Sequence, residues 1–296
     1  MRQLLLLSVL LNCAASAGEV GPPPPPRHPQ AMEGEVIEAI TEHIATITAR
    51  PADAEGRRDL GLLYIANGAP KDAVDAFRQA TTLDPSQAVL WGYLGQAAHQ
   101  AGDVDTALSA MATARRLEPG HLSVWWRPGF WLLEEGRADE ALPLFRQAAV
   151  VDRESATPAP DGAAYRIGMA RCLMDLDRPA EAVPILEELN TLISHPYASY
   201  LLNQAYRRSG QADKAAKRRS ASGAGPPSYP DSWQDAISAA KRGLDGRMDH
   251  IESLLAAGRL REASAALDDA QKRWPEDVNL LNRRGELYRV KGNIKA

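Results

Sequence analysis

The side chains that could do chemistry in this 296-residue chain are few and scattered. No two of the six histidines stand four residues apart, the spacing that places two metal ligands on one face of a helix. The sequence also contains no Cys-x2-Cys pair, no P-loop and no Gly-x-Ser-x-Gly elbow. We therefore expect no catalytic residue, no metal site and no cofactor, and we predict that the protein is not an enzyme. The histidines are His28, His43, His99, His121, His195 and His250.

The remaining reactive residue types also favour structural roles. Cys172 stands beside Leu173 in a predicted helix, so we interpret it as a small buried apolar residue rather than a nucleophile. The acidic pairs, such as Glu134–Glu135, are typical of a solvated helix face. The 34 basic and 38 acidic residues give a net charge of -4, without the basic run that nucleic-acid binding requires. With 45% hydrophobic and 24% charged residues, the composition is that of a soluble globular protein.

The N-terminus carries the pattern of a secretory signal peptide over residues 1–17. Arg2 precedes an apolar run over 4–11, and a triplet of small residues then predicts cleavage after Ala17. The alternative is a lipoprotein signal, with a lipid anchor on Cys13. Either signal predicts export to the periplasm or the outer membrane of a bacterial cell. The apolar run is too short for a permanent span, so we expect no transmembrane segment in the mature protein.

Five consecutive prolines mark the segment that follows, over residues 18–34. Such a run favours an extended, semi-rigid polyproline conformation. We interpret this segment as a linker that spaces the domain from a membrane or a neighbour. A proline-motif ligand is the alternative.

An internal repeat with an offset of 34 residues dominates the rest of the chain. Shifting the sequence by that offset superposes glycines and alanines, with helical apolar spacing between them. Small residues such as Gly61 and Ala73 allow two helices to approach closely, and Phe77 fills the space beside them. Each period therefore predicts two antiparallel helices. The superposed sets are Gly61, Gly95 and Gly129; Gly68, Gly102 and Gly136; and Ala73, Ala107 and Ala141.

These units resemble the tetratricopeptide repeat, whose pattern is W-x2-L-G-x2-Y, then A-x3-F-x2-A and a closing proline. The segment LGLLYIANGAPKDAVDAFRQATTLDP matches every marked position except the tryptophan, where Arg57 stands. The next unit keeps Trp91, and the third keeps Trp125 but has Pro128 for the leucine. The resemblance implies an all-α fold, a right-handed α-solenoid of antiparallel helix pairs.

The resemblance divides the chain after the linker into two arrays. Residues 35–219 fit a half repeat followed by about five repeats, and a Gly/Pro/Ser loop over 220–230 ends this first array. Residues 231–296 fit a helix and further repeats, the last of them incomplete. The polar final helix suits a solenoid cap, but a truncation at Ala296 fits the pattern equally well.

The resemblance implies that the first helices of the repeats line a concave groove. Its positions carry aromatic, arginine and glutamine side chains, which suit an extended peptide or another protein's helix. The alternative for any single aromatic is that it fills the gap between neighbouring repeats. We expect Trp125 and Trp131 to pack between helices. The expected groove residues are Tyr93, Gln96, His99, Trp126, Arg127, Phe130, Arg171, Tyr197, Tyr200, Gln204, Arg207 and Arg208.

From these patterns we predict a protein-interaction scaffold or assembly factor of the cell envelope, with a protein or peptide as its partner. Repeats that clamp chaperone tails use lysine and asparagine where this chain has Arg58 and Leu62, which argues against that subtype. Two alternatives stay open. One is the repeat portion of a larger enzyme or cytochrome-linked protein, and the other is a lipoprotein component of an outer-membrane secretion or assembly machine.

Overall fold

The computed structural model describes residues 20–155, 162–217, 225, 229, 231–290 and 292. The signal peptide expected over 1–17 lies outside the described residues, and so do Cys13 and Ala296. Among the described residues the regular elements are a short 3-10 turn at Pro29–Ala31 and fifteen α-helices, so the all-α fold is confirmed. The helices are α1 (Gly34–Ala49), α2 (Ala54–Ala66), α3 (Pro70–Leu83), α4 (Ala88–Gln100), α5 (Val104–Leu117), α6 (Ser123–Glu134), α7 (Ala138–Glu154), α8 (Ala163–Asp175), α9 (Pro179–Leu192), α10 (Pro196–Arg208), α11 (Ala212–Lys217), α12 (Ser232–Ala239), α13 (Gly243–Ala256), α14 (Leu260–Arg273) and α15 (Val278–Val290).

The chain folds as two compact units. The terminal unit comprises Met1–Leu83 and Gln234–Ala296, and the central unit comprises Asp84–Trp233. Along the chain the second boundary between them falls within α12. The sequence pattern predicts a separation of two repeat arrays in the loop over 220–230, and that division stays a prediction. Tyr229, Asp231 and Trp233 pack on helices of the central unit.

In the central unit, which contains α4 to α11, each helix from α5 onward packs against the helix before it. The first helices of successive repeats also touch, because α8 contacts both α6 and α10. Side chains on these first helices therefore share one surface, as the solenoid pattern predicts. In the terminal unit, α1 to α3 pack in sequence and α13 to α15 do the same.

Close packing within the helix pairs depends on glycines at the predicted positions. A Cβ on Gly61 would lie 2.6 Å from Phe77 Cε1, and a Cβ on Gly129 would lie 2.7 Å from Phe145 Cζ. Both phenylalanine side chains are fully buried. Because a methyl group cannot fit at these distances, the prediction that small residues let the paired helices approach is confirmed.

Two tryptophans at the same repeat position make the same contact. Trp91 Nε1 donates to the carbonyl oxygen of Pro85 at 2.9 Å, and Trp125 Nε1 donates to that of Pro119 at 2.8 Å. Each indole therefore fixes a first helix to the proline that closes the preceding repeat. Trp131 is buried, so the expected packing of Trp125 and Trp131 between helices is confirmed.

The proline-rich segment lies against the first repeat of the terminal unit. Tyr64 Oη donates to the carbonyl oxygen of Pro24 at 2.6 Å, and Gln79 Nε2 donates to that of Pro22 at 2.9 Å. Arg27 forms ion pairs with Asp72 and Asp75, at 2.8 and 2.5 Å. We expected this segment to be a spacer. An extended proline run makes no internal hydrogen bonds, so its carbonyl groups are available as acceptors. Two of them accept hydrogen bonds from side chains of α2 and α3.

Arg57 takes part in the same docking at the position where the repeat pattern has tryptophan. Its guanidinium is almost fully buried and donates through Nε to Gln79 Oε1 at 3.0 Å. Another of its nitrogens donates to the carbonyl oxygen of Gly21 at 3.3 Å. The departure from the repeat pattern therefore corresponds to a contact with the proline-rich segment.

Candidate functional site

The candidate site of the central unit lies on the first helices α4, α6 and α8. Three of the expected groove residues, Trp126, Arg127 and Phe130, occupy α6 at helical spacing. Arg127 Cζ lies 4.9 Å from the centre of the Trp126 ring, and Arg171 Cζ on α8 lies 5.9 Å from that of Phe130. The structure therefore brings two arginines and two aromatic rings together.

This surface is covered by residues of the same chain, which we call the groove segment: Tyr229, Asp231, Ser232 and Trp233. The segment precedes and opens α12, and its carboxylate and rings face the first helices. It was expected to belong to a loop and to the start of a separate array. Its three larger side chains each occupy a distinct subsite.

The first subsite holds the Asp231 carboxylate, which is entirely buried. Oδ2 accepts from Arg127 Nε at 2.6 Å and from Ser123 Oγ at 2.8 Å, and it lies 2.5 Å from a terminal nitrogen of Arg127. Oδ1 accepts from the backbone amide of Trp233 at 2.9 Å, the bond of an N-capping aspartate. Both carboxylate oxygens are thus satisfied by charge and by hydrogen bonds, as a buried carboxylate requires.

The second subsite holds the indole of Trp233. Its ring stacks on that of His121 at 4.2 Å between centroids and lies 6.3 Å from that of Tyr93. A Cβ on Gly92 would stand only 2.1 Å from Cζ3 of Trp233. In the repeat alignment the residues equivalent to Gly92 are Arg58 and Trp126, so the glycine leaves the space that the indole fills.

The third subsite holds the ring of Tyr229. This ring stacks on Phe130 with centroids 5.6 Å apart and meets Trp126 edge-on at 5.5 Å. Phe130 also contacts the core, because its ring lies 5.0 Å from that of Phe145. Phe130 therefore contacts the second helix of its own repeat as well as Tyr229, and its role in binding a partner stays a prediction.

A cavity of about 470 Å³ lies beside the three subsites, within the central unit. His121, Trp126, Tyr165, Tyr229 and Asp231 are among the residues that line it. His121 Nδ1 is buried and has no hydrogen-bond partner among the described residues. Burial lowers the pKa of His121, and the neighbouring carboxylate of Asp231 opposes that shift. Burial also raises the pKa of Tyr165 to about 12, with help from its hydrogen bond to Asp152.

The other expected groove residues make contacts of their own. Gln96 is buried on α4, and His99 stacks on Trp131 at 4.8 Å and meets Glu134 at 3.0 Å. On α10, Gln204 donates to the hydroxyl of Tyr200, whose ring lies 6.3 Å from that of Tyr197. Arg208 donates to the carbonyl oxygen of Met174 at 2.8 Å, and Arg207 is exposed. The role of these α10 residues in binding a partner stays a prediction.

Sequence reasoning missed four participants: Gly92, Ser123, His121 and the groove segment itself. Gly92 and Ser123 occupy the same repeat positions as recognised groove residues, and they escaped notice because their side chains are small. The groove segment had one local signal, an aspartate with an aromatic residue two positions away on each side. That signal indicates an unusual loop, but it does not indicate where the loop binds.

Metal binding, thiol reactivity and membrane-spanning helices can be examined among the described residues. These residues contain no group of three or more histidine, cysteine or acidic side chains that could hold a metal ion. Cys172 is buried, and burial raises the pKa of its thiol to about 12, so little of it is a thiolate at neutral pH. Within the same residues, no helix combines the length and the apolar character that crossing a membrane requires.

Comparison with known proteins supports the repeat assignment. One family profile described as tetratricopeptide repeat matches residues 38–88, 58–121 and 248–296, and a second with the same description matches 132–191. Together these matches cover more than half of the chain. Superkiller protein 3 of Saccharomyces cerevisiae is 26% identical over 123 residues. That alignment takes in 40% of this chain and only 8% of the yeast protein.

Solved structures show the same fold at low identity. A tetratricopeptide repeat protein from Parabacteroides merdae gives a TM-score of 0.51 at 13% identity, covering 84% of this chain and 90% of that one. A double mutant of MamA from strain RS-1 gives 0.50 at 15% identity, covering 63% of this chain and 93% of that one. At such identities the similarity concerns the fold alone.

Proposed function

Because the chain belongs to the tetratricopeptide repeat family, we propose that it is a non-enzymatic scaffold or assembly factor that binds a protein or peptide partner along its first helices. One observation supports this proposal most strongly. The first helices of the central unit already hold a peptide segment, whose carboxylate is bound by Arg127 and Ser123. A surface that recognises one segment in this way has the charge and the shape to recognise another.

The proposal includes export to the bacterial cell envelope. Its support is the N-terminal sequence, in which Arg2, the apolar run and the small-residue triplet have the order of a secretory signal. A lipid anchor at Cys13 is the variant of this proposal that would attach the protein to a membrane. In both cases the partner is a protein or peptide of the envelope.

Photocrosslinking tests the groove as the partner site. A photoreactive residue at Tyr200, on the α10 part of the expected groove, is activated in an envelope extract of the source organism. We expect a discrete protein adduct that decreases at least tenfold when Trp126→Ala and Phe130→Ala are combined. Circular dichroism of the double variant reports whether its helices persist.

The second helix α7 supplies the matched control, because Arg146 and Gln147 are exposed there. A photoreactive residue at Gln147 should give no such adduct, and Arg146→Ala should leave the Tyr200 adduct unchanged. Equal adducts from Tyr200 and Gln147, or an adduct indifferent to the double variant, would rule out the groove as the partner site.

A further inference from the structure

We propose that the groove segment is a ligand held in cis, and that the partner bound in trans presents the same chemistry: a carboxylate with an aromatic side chain two residues before it and two residues after it. This inference rests on the proposed function, since it names the class of partner for that same groove. The partner segment would displace Tyr229, Asp231 and Trp233 from their three subsites.

The three subsites accept alternate residues of one short segment of chain. Tyr229, Asp231 and Trp233 alternate along the chain, and each meets a different set of first-helix or neighbouring residues. Arg127 and Ser123 contact the carboxylate at the centre, and aromatic rings flank it on both sides. The pattern recognised is therefore aromatic, acidic, aromatic, in alternate positions.

Two residues that build the subsites occupy positions that the repeat pattern leaves unspecified, between its tryptophan and its leucine. Gly92 stands where the neighbouring repeats have Arg58 and Trp126, and only a residue without Cβ leaves room for the indole. Arg127 places a cation at a site from which water is almost excluded, with its side chain only 10% exposed. Gly92 thus makes room for Trp233, and Arg127 binds Asp231.

The ion pair favours a recognition role over a purely structural one. A buried Arg–Asp pair must overcome the desolvation of both charges, and apolar residues of similar size would stabilise a fold equally well. A buried charge pair does select strongly against segments without a carboxylate, because those would leave Arg127 buried without a counter-ion. The ion pair thus contributes more to the selectivity of the groove for a carboxylate than to the stability of the fold.

Because the groove segment is part of the same chain, it competes with any partner for the groove. The segment belongs to the same chain as the groove, and attachment of this kind gives an effective concentration on the order of millimolar. A partner in trans must therefore bind the empty groove tightly to displace the segment. Wild-type protein should bind a free copy of the segment weakly, and a variant with a weakened segment should bind it well.

The experiment is a fluorescence anisotropy titration of a labelled peptide, residues 225–236, into the full mature chain. The chain variant Asp231→Asn removes the charge in cis but keeps a residue that caps α12 well. We expect this variant to bind the peptide at least tenfold more tightly than the wild type does. The peptide carrying D231N should bind the same variant at least tenfold more weakly. Adding Arg127→Gln to the variant should abolish tight binding.

Asp235→Asn is the matched control, because Asp235 is an exposed carboxylate four residues further along. It should leave peptide affinity at the wild-type value. If Asp231→Asn lowers helicity, Trp233→Ala weakens the segment at another subsite and should also increase peptide affinity. Equal binding of the native and D231N peptides, or no gain in either chain variant, would overturn the proposal. So would a wild-type dimer that the peptide dissociates, because the segment would then bind a second copy rather than its own groove.

Failure of this inference is distinguishable from failure of the proposed function. In the Asp231→Asn chain, saturating peptide should suppress the partner adduct at Tyr200. An adduct that the peptide leaves unchanged would overturn the inference and leave the scaffold function standing. Peptide binding as expected, without any adduct in the envelope extract, would support the recognition chemistry and count against the envelope partner.

Discussion

Arg127 and Asp231 form a buried ion pair at 2.5 Å although 104 residues separate them in the chain. Arg127 belongs to the first helix of a repeat, and Asp231 caps the helix that follows the Gly/Pro/Ser loop. The pair holds the groove segment on the central unit. It also determines which perturbations should release that segment.

Removing the cation should destabilise the central unit. Arg127→Gln leaves the Asp231 carboxylate buried without a counter-charge, a change that typically costs about 3–5 kcal/mol. Urea denaturation monitored by tryptophan fluorescence measures the free energy of unfolding. Arg137→Gln breaks an exposed Arg–Glu pair of the same unit and should change stability little. Similar losses in both variants would show that burial of the pair is not what matters.

Adding a methyl group at Gly92 should expel Trp233. The Cβ of Gly92→Ala would overlap the indole at 2.1 Å, and overpacking of this kind costs about 1–3 kcal/mol. We expect a red shift of tryptophan emission and a lower melting temperature. Gly285→Ala is the control, because that exposed helical glycine has no atom within 4 Å of its added Cβ and alanine favours a helix. An unshifted spectrum for Gly92→Ala would contradict the observed packing of Trp233.

Acidification should weaken the central unit through His121. Burial lowers its pKa in the folded chain, while Asp231 and Glu118 oppose the shift and Arg127 adds to it. The unfolded chain therefore binds a proton first as pH falls through about 6.5, and protonation then favours unfolding. We expect the melting temperature to decrease between pH 7 and 5.5. His121→Gln should remove the part of this decrease that protonation of His121 causes. His250→Gln is the control at an exposed site, and it should leave the full decrease in melting temperature unchanged.

The thiol of Cys172 should be inert in the folded protein. Burial raises its pKa to about 12, and the side chain has no exposed surface. A thiol-specific chromogenic reagent should label the mature chain at pH 8 only after urea is added. Rapid labelling of the folded chain would contradict both the burial and the structural role of this residue.

The docked proline-rich segment should depend on Tyr64. Tyr64→Phe removes the hydrogen bond to the Pro24 carbonyl and should cost about 1 kcal/mol. Limited proteolysis should then cleave before α1 more readily than in the wild type. Tyr197→Phe is the control, because the contact of Tyr197 with Tyr200 is between rings. Unchanged cleavage in Tyr64→Phe would show that the bond does not hold the segment.

The helices, their pairing and much of the candidate site could be predicted because the repeat pattern is local. Three contacts follow from position within the 34-residue unit: Gly61 opposite Phe77, Trp125 against Pro119, and Arg127 beside Trp126. Each depends on residues of the same or the adjacent helix. Periodicity is sufficient to specify contacts of that range.

The occupant of the groove could not be predicted in the same way. Asp231 meets Arg127 through tertiary folding, and no period relates a residue of the loop region to a position on α6. The docking of residues 21–27 escaped prediction for a related reason. Proline content indicates an extended conformation, but the partners Tyr64, Gln79 and Asp72 are set by the surface of the first repeat.

Hydrogen exchange at the backbone amide of Trp233 tests the central claim most directly, because this amide donates to Asp231 Oδ1 inside the groove. If the groove is a peptide site occupied in cis, the amide should exchange slowly in the wild-type chain. It should exchange at least tenfold faster when the peptide of residues 225–236 is present at saturation. Slow exchange that the peptide leaves unchanged, while the peptide is shown to bind, would contradict the claim that the two compete for one site.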